Sequence, residues 1–222
     1  MRLRVPSRGI ARMATSTEPS LTIVAATSLE AAAVRRVAPR LHVIESGIAL
    51  SRLDAREYSD AVVTCGLAGG LQDGLITGSI VIPDAVSTPD GKLIACDPLL
   101  SNALMTAART LGHTPHRGSL LTTSEIVNRS ARAAWAQRGY VAADMETGFV
   151  RAGRIAAVRV ILDTPLHELD EAWLKPVTVL WRPWLWPQAM WLMREAPRCA
   201  RLASEVVALA FASDASNVAT DL

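Results

Sequence analysis

Ala61-Val-Val-Thr-Cys-Gly-Leu-Ala-Gly-Gly-Leu71, continued by Gly78-Ser-Ile-Val-Ile-Pro83, is the stretch on which the fold turns. Ala61 to Val63 is an apolar, β-branched run and reads as a buried strand. It empties into Gly66, Gly69 and Gly70, three glycines within five residues, and a second strand follows over 78–83. Glycines gathered at a strand end let the backbone turn with positive φ and let a ligand approach main-chain N–H groups. The Lys-Ser/Thr of a P-loop is missing, so a plain tight turn is the competing reading.

Strands and helices alternate on both sides of this stretch. Leu21 to Ala25 is a short apolar strand. Thr27 stands three residues before Glu30 and precedes an Ala-rich helix over Ala31–Arg36, the spacing of a capping box in which Glu30 bonds back to the cap N–H. Leu41 to Ile44 reads as a strand ending in Glu45-Ser46-Gly47-Ile48, and a helix through 51–57 leads to Ala61. The segment 86–93 is turn-rich; Asp97 or Pro98 then opens a helix to about Leu111, stopped by Gly112. Gly118 to Thr123 is a strand, and Arg129 to Arg138 an amphipathic helix closed by Gly139. Tyr140 to Ala143 delivers Asp144-Met145-Glu146, with a helix following directly, and Val158 to Leu162 delivers Asp163. The alternation predicts an α/β fold with a mostly parallel sheet and helices on both faces. Ligands of such sheets lie beyond the carboxyl ends of the strands. Glu30, Gly66–Gly70, Glu146 and Asp163 all fall there.

The chain of 222 residues suits one domain, expected over 21–212. A net charge of +2 provides no global field to attract nucleic acid. Cys65, Cys96 and Cys199 are odd in number and sit in apolar sequence, which fits a reducing cytoplasm and neither a disulfide framework nor a zinc site. His42, His113, His116 and His167 show no metal spacing, so neither metal nor cofactor is expected. No apolar run reaches the roughly 18–20 residues that span a bilayer. Residues 1–20 carry Arg2, Arg4, Arg8 and Arg12 without a hydrophobic period or an h-region, and read as a disordered extension with Met13 as an alternative start. Residues 213–222 read as a frayed tail.

From Trp173 the composition changes: five of the six tryptophans fall within nineteen residues, and a helical stretch runs on to Ala212. Residues 173–212 are thus expected to form a Trp-rich helical appendage. It is either a helix packed on the sheet with Arg194, Arg198 and Arg201 solvated, or a peripheral membrane contact through Trp181–Trp191.

Taken together, these motifs resemble the nucleoside phosphorylase and nucleosidase superfamily, from about Leu21 to Pro165. The stretch 66–83 resembles that family's glycine loop and following strand, Ala143-Asp-Met-Glu146 its Met-Glu ribose motif, and Arg159-Val-Ile-Leu-Asp163 its Arg-x-x-Ser-Asp purine motif. Glu30 falls where the nucleosidases carry a water-activating Glu. The resemblance implies a three-layer sandwich with a mixed, mostly parallel central sheet. It also implies cleavage of an N-glycosidic bond without metal or cofactor. Asp163 would donate a proton towards purine N7, and Glu146, beside Met145, would accept from ribose hydroxyls. Glu30 would activate water, and Ile126 and Val127 would hold the base. Ile126 stands where the family carries an aromatic, and Leu162 where it carries a small polar residue. Gly66, Leu67 and Ala68 would form the floor, with Ser46 and Thr64 as weak anion contacts through hydroxyl and N–H groups. No arginine stands beside the glycine loop, which favours water over phosphate.

The Trp-rich tail resembles that of the hopanoid-associated phosphorylases. This implies adenosylhopane as substrate and ribosylhopane as product, a cytoplasmic or membrane-peripheral location, and a homodimer or larger homo-oligomer. A methylthioadenosine/S-adenosylhomocysteine nucleosidase is the alternative, and a non-catalytic nucleoside- or lipid-binding protein a further one.

Overall fold

The computed structural model describes residues 21–47, 60–125, 127–170, 173 and 182–212. The N-terminal extension, the helix expected over 51–57, Ile126, Trp181 and the tail from Ser213 lie outside the described residues.

Two long strands, β3 (Ala61–Gly70) and β9 (Arg154–Asp163), form the centre of a mixed sheet that has nine strands among the described residues. They pair in parallel from Ala61↔Arg154 to Gly69↔Asp163, with a bulge between Ala68 and Gly69. Both are buried along almost their whole length, as expected for near-continuous apolar strands covered on both faces. β1 (Leu21–Ala25) lies parallel to β3, and β2 (His42–Glu45) parallel to β1. At its carboxyl end β3 changes partner: Gly69 and Gly70 pair antiparallel with β8 (Tyr140–Asp144). From β8 the sheet continues in parallel through β7 (Ser119–Thr122) to β5 (Ala85–Ser87), with β6 (Leu93–Ala95) antiparallel at the edge. The two-residue β4 (Ile80–Val81) pairs antiparallel with β9. Five of these eight pairings are parallel, so the sheet is mixed and mostly parallel as the sequence predicts.

The period-two alternation of the strands assigns their faces. Ile23, Val63, Cys65, Val158 and Val160 meet α1 (Ser28–Val37), α2 (Pro98–Thr110) and α4 (Trp186–Phe211) in the main core. Val24, Val62 and Ile155 point the other way, towards Val150. α3 (Arg129–Gln137) adds Trp135, packed with Leu71, Leu121 and Ala143. α2 starts at the expected place: Asp97 Oδ1 accepts from the N–H groups of Leu99 and Leu100 at 2.9 and 3.0 Å, and Pro98 sits where no N–H is needed.

Two features differ from the sequence reading. The segment 86–93 belongs to a hairpin, β5–β6, because Pro89-Asp90-Gly91 closes a tight turn in which Gly91 has φ +81°. The helix expected after Glu146 is a single 3₁₀ turn, Thr147–Phe149. A Cβ on Gly148 would stand 2.4 Å from Ser87 O, so β5 presses directly on that turn. α4 takes the first of the two readings of its stretch, a helix packed on the sheet: it buries Cys199, Ala203, Val206, Val207 and Phe211 in the main core. Its N-terminal turns are different: Trp186, Met190 and Met193 are exposed there, as is Trp184 just before them. No described helix is long and apolar enough to cross a membrane.

Candidate active site

A cavity of about 400 Å³ lies where β1, β3, β8 and β9 end, lined by Glu30, Leu67, Ala68, Val127, Met145, Glu146 and Asp163 among others. Seven of the residues singled out from sequence therefore share one wall. Gly66 and Ser46 do not line it. Ser46 is fully buried, and its hydroxyl donates to the carbonyls of Ala25 and Gly47 at 3.3 and 3.1 Å. Those bonds consume the group that would have met a ligand.

The glycines work differently from the expected turn. Gly66, Gly69 and Gly70 all lie within β3, and none has positive φ. At Gly66 and Gly69 glycine is needed because acidic side chains press on the strand, whereas at Gly70 the neighbours are Ile161 and Leu75. A Cβ on Gly66 would stand 2.4 Å from Glu30 Oε1, and one on Gly69 would stand 3.0 Å from Asp163 Oδ1. The strand is stripped of side chains so that two carboxylates can lie against its backbone.

Glu30 makes the capping bonds and also lines the cavity. The capping box at Thr27 is complete: Glu30 Oε2 accepts from Thr27 N at 2.9 Å and Thr27 Oγ1 at 2.8 Å. Its other oxygen accepts from Leu67 N at 2.8 Å, joining α1 to β3. The cap thus fixes an acceptor on the cavity wall.

Glu146 stands at the N-cap position of the 147–149 turn without a side-chain capping bond, and its Oε2 accepts from the Met145 N–H at 3.2 Å. Burial pushes its carboxyl up to about 8, helped by the Asp144 charge and that of Glu30 against the pull of Arg159. Under it lies a buried network absent from the sequence reading. Asp144 Oδ2 accepts from Arg159 Nε and Nη2 at 3.0 and 2.8 Å, and Asp144 Oδ1 accepts from Thr122 Oγ1 at 2.7 Å. Arg159 Nη2 also donates to Thr147 Oγ1 at 2.7 Å, and that hydroxyl contacts Thr64 Oγ1 at 2.9 Å. Thr64, the other hydroxyl considered for an anion, is likewise engaged.

Asp163 stands at the far end of the wall, at the last residue of β9. It is ion-paired with Arg132 of α3, whose side chain is 3 % exposed. Arg132, the fourth residue of α3, was missed from sequence. Leu29, Leu71, Leu169, Trp173 and Ala196 complete the cavity with apolar surface, the last contributed by α4.

Residues 38–172 match the family described as the phosphorylase superfamily. No curated protein sequence matches the chain. Among solved structures, it is similar to 5′-methylthioadenosine/S-adenosylhomocysteine nucleosidase from Neisseria meningitidis in complex with methylthio-immucillin-A, with TM-score 0.66 and 18% identity over 87% of this chain and 98% of that one. A Helicobacter pylori nucleosidase mutant with 5′-methylthioadenosine in its active site gives TM-score 0.67 at 12% identity, over 91% of this chain and 100% of that one. Futalosine hydrolase of the same organism gives 0.65 at 13% identity, over 86% and 96% of the two chains. The chain belongs to the phosphorylase superfamily.

Proposed function

We propose that this member of the phosphorylase superfamily hydrolyses the N-glycosidic bond of a 5′-substituted adenosine and releases adenine. The observation that carries this proposal is the convergence of Glu30, Glu146 and Asp163 on one cavity wall. Asp163 meets purine N7 and carries the proton that lets the base leave neutral. Glu146 accepts from the ribose hydroxyls and, once ionised, faces the oxocarbenium-like sugar. Glu30, held as an acceptor by three donors, orients the attacking water and takes its proton. The committed hydroxyls of Ser46 and Thr64 favour water over phosphate as the nucleophile.

The apolar run from Leu71 and Val127 to Leu169, Trp173 and Ala196 suits a greasy 5′-substituent. Adenosylhopane, cleaved to ribosylhopane in hopanoid biosynthesis, is the substrate we favour. Exposed Trp184, Trp186, Met190 and Met193, beside Arg194 and Arg198, would rest on the membrane that holds such a lipid. The second reading, a methylthioadenosine/S-adenosylhomocysteine nucleosidase, draws support from the near-complete coverage of such enzymes by this chain.

Incubation with adenosylhopane and with 5′-methylthioadenosine, followed by chromatography of adenine, separates the two. Rapid release from methylthioadenosine alone would overturn the lipid assignment. A sugar 1-phosphate product that appears only with added phosphate would overturn hydrolysis. Asp163→Asn should lower release by about 10²–10⁴-fold if the carboxyl acts in proton transfer.

A further inference from the structure

Leu169 and Trp173, on the chain that follows β9, give the cavity part of its apolar wall. A single side chain of α4 holds both ends of that stretch. Gln188 Oε1 accepts from Trp173 Nε1 at 2.5 Å and from Asp170 N at 3.2 Å, and its Nε2 donates to Glu168 O at 2.7 Å. One amide thus meets three residues of the wall segment with both of its polar atoms. Three residues further along α4, Trp191 stacks on His167, with ring centroids 5.7 Å apart and planes at 25°. Trp191 and Leu169 both pack against the main core. The Arg182–Asp170 pair adds little by comparison, since it is 3.9 Å apart and both side chains are more than 40 % exposed. Gln188 also does more than tether the segment. An indole N–H can donate but not accept, so an unpaired one on a cavity wall calls for an acceptor from ligand or water. Trp173 directs its N–H to Gln188, and its ring therefore offers the cavity apolar surface, in line with Leu71, Val127, Leu169 and Ala196.

We propose that Gln188 is a positioning residue for substrate choice: by fixing Leu169 and Trp173 and engaging the indole N–H, it makes this wall select a nucleoside with an uncharged, apolar 5′-substituent. This deepens the 5′-substituted-adenosine reading above and rests on it. Gln188 touches neither the glycosidic bond nor the three carboxylates; it acts through Trp173 and the 168–170 backbone. Without it, the Trp173 and Asp170 N–H groups lose their acceptor. An unpaired donor at a half-buried site is costly, so the segment shifts until water reaches those groups, and the wall opens. Removing donor and acceptor together is far less costly than removing one of them, which separates this role from general support of the fold.

Adenine release from 5′-butylthioadenosine and from adenosine tests this, read as the ratio of the two kcat/KM values. The wild-type protein should favour the butylthio substrate at least about tenfold, because its methylenes leave water for an apolar wall. Gln188→Leu should lower that ratio about fivefold or more. The change should come chiefly through a raised KM for the butylthio substrate, the mark of lost binding rather than lost chemistry. Gln188→Glu keeps an acceptor for Trp173 and Asp170 but has no donor for Glu168 O, and should fall between. It also keeps the test decisive if the Leu variant folds poorly. Adding Trp173→Phe to Gln188→Leu removes the orphaned N–H and should recover part of the ratio, which a merely structural glutamine would not allow. An unchanged ratio in the Leu and Glu variants, or no recovery with Phe, overturns the role of Gln188 and leaves the nucleosidase reading standing. A wild-type ratio near one overturns the apolar selection. Release of adenine from neither substrate overturns the nucleosidase reading, and the inference with it.

Discussion

Gly66→Ala should be far more damaging than an ordinary glycine replacement in a strand. The added Cβ would stand 2.4 Å from Glu30 Oε1, 2.9 Å from Glu30 Cδ and 3.3 Å from Arg159 Nη1. Glu30 cannot swing aside freely, since three protein donors hold its two oxygens. Displacing it forfeits the Leu67 N–H contact, a hydrogen bond to a charged group that contributes about 1.5–3 kcal/mol. The capping contact at Thr27 adds about 1 kcal/mol. For a domain of this size, a loss of about 2–4 kcal/mol lowers Tm by roughly 5–15 °C. Thermal unfolding followed by circular dichroism measures it. The control is the same change made on Glu30→Ala, where the obstructing carboxylate is gone and Gly66→Ala should cost less than about 0.5 kcal/mol. The coupling between the two sites should therefore be about 2 kcal/mol. A Gly66→Ala protein that melts within 2 °C, roughly, of wild type, or one that loses as much in the Glu30→Ala background, would refute the close-packing account of the glycines.

Other outcomes follow from the same geometry. A ligand bearing a cation at the sugar position should pair with ionised Glu146; with that carboxyl at about 8, binding at pH 7 should release about one proton, read from calorimetry in buffers of different ionisation enthalpy. Because the folded state holds that proton more tightly than the unfolded chain, the contribution of Glu146 to stability falls as pH rises from its ordinary value through about 8. Glu146→Gln should accordingly melt higher than wild type above pH 8 while losing adenine release. Arg159→Met leaves Asp144 buried without its cation and should cost about 3–5 kcal/mol in urea denaturation. Truncation after Leu180 removes α4 and with it part of the main core, so the membrane contact is better tested by Trp184→Ser/Trp186→Ser/Met190→Ser in liposome co-sedimentation. Pelleting equal to wild type would remove the case for that surface.

Much was legible in the chain because it rests on local chemistry. Short apolar runs announced β1, β7 and β8, the Thr27/Glu30 spacing announced the start of α1, and Asp97-Pro98 announced that of α2. The order of acidic residues at strand ends brought out Glu30, Glu146 and Asp163, since a parallel sheet gathers such ends by its topology alone. The C-terminal stretch was harder. Its tryptophans, arginines and prolines describe a surface, but whether a helix lies on a core depends on what faces it, and Val206 and Val207 are buried only because α1, α2 and the sheet meet them.

The amino-acid sequence by itself determined the element order, the sheet type and the three carboxylates, because hydrophobic period, capping chemistry and chain order are written residue by residue. Only the tertiary structure decided what the glycines of β3 are for, and that Arg132, thirty-one residues before Asp163, is that residue's partner. Both depend on how closely two distant segments approach. A glycine looks the same in sequence whether it serves a turn or a carboxylate, and an arginine the same whether it meets water or a buried acid.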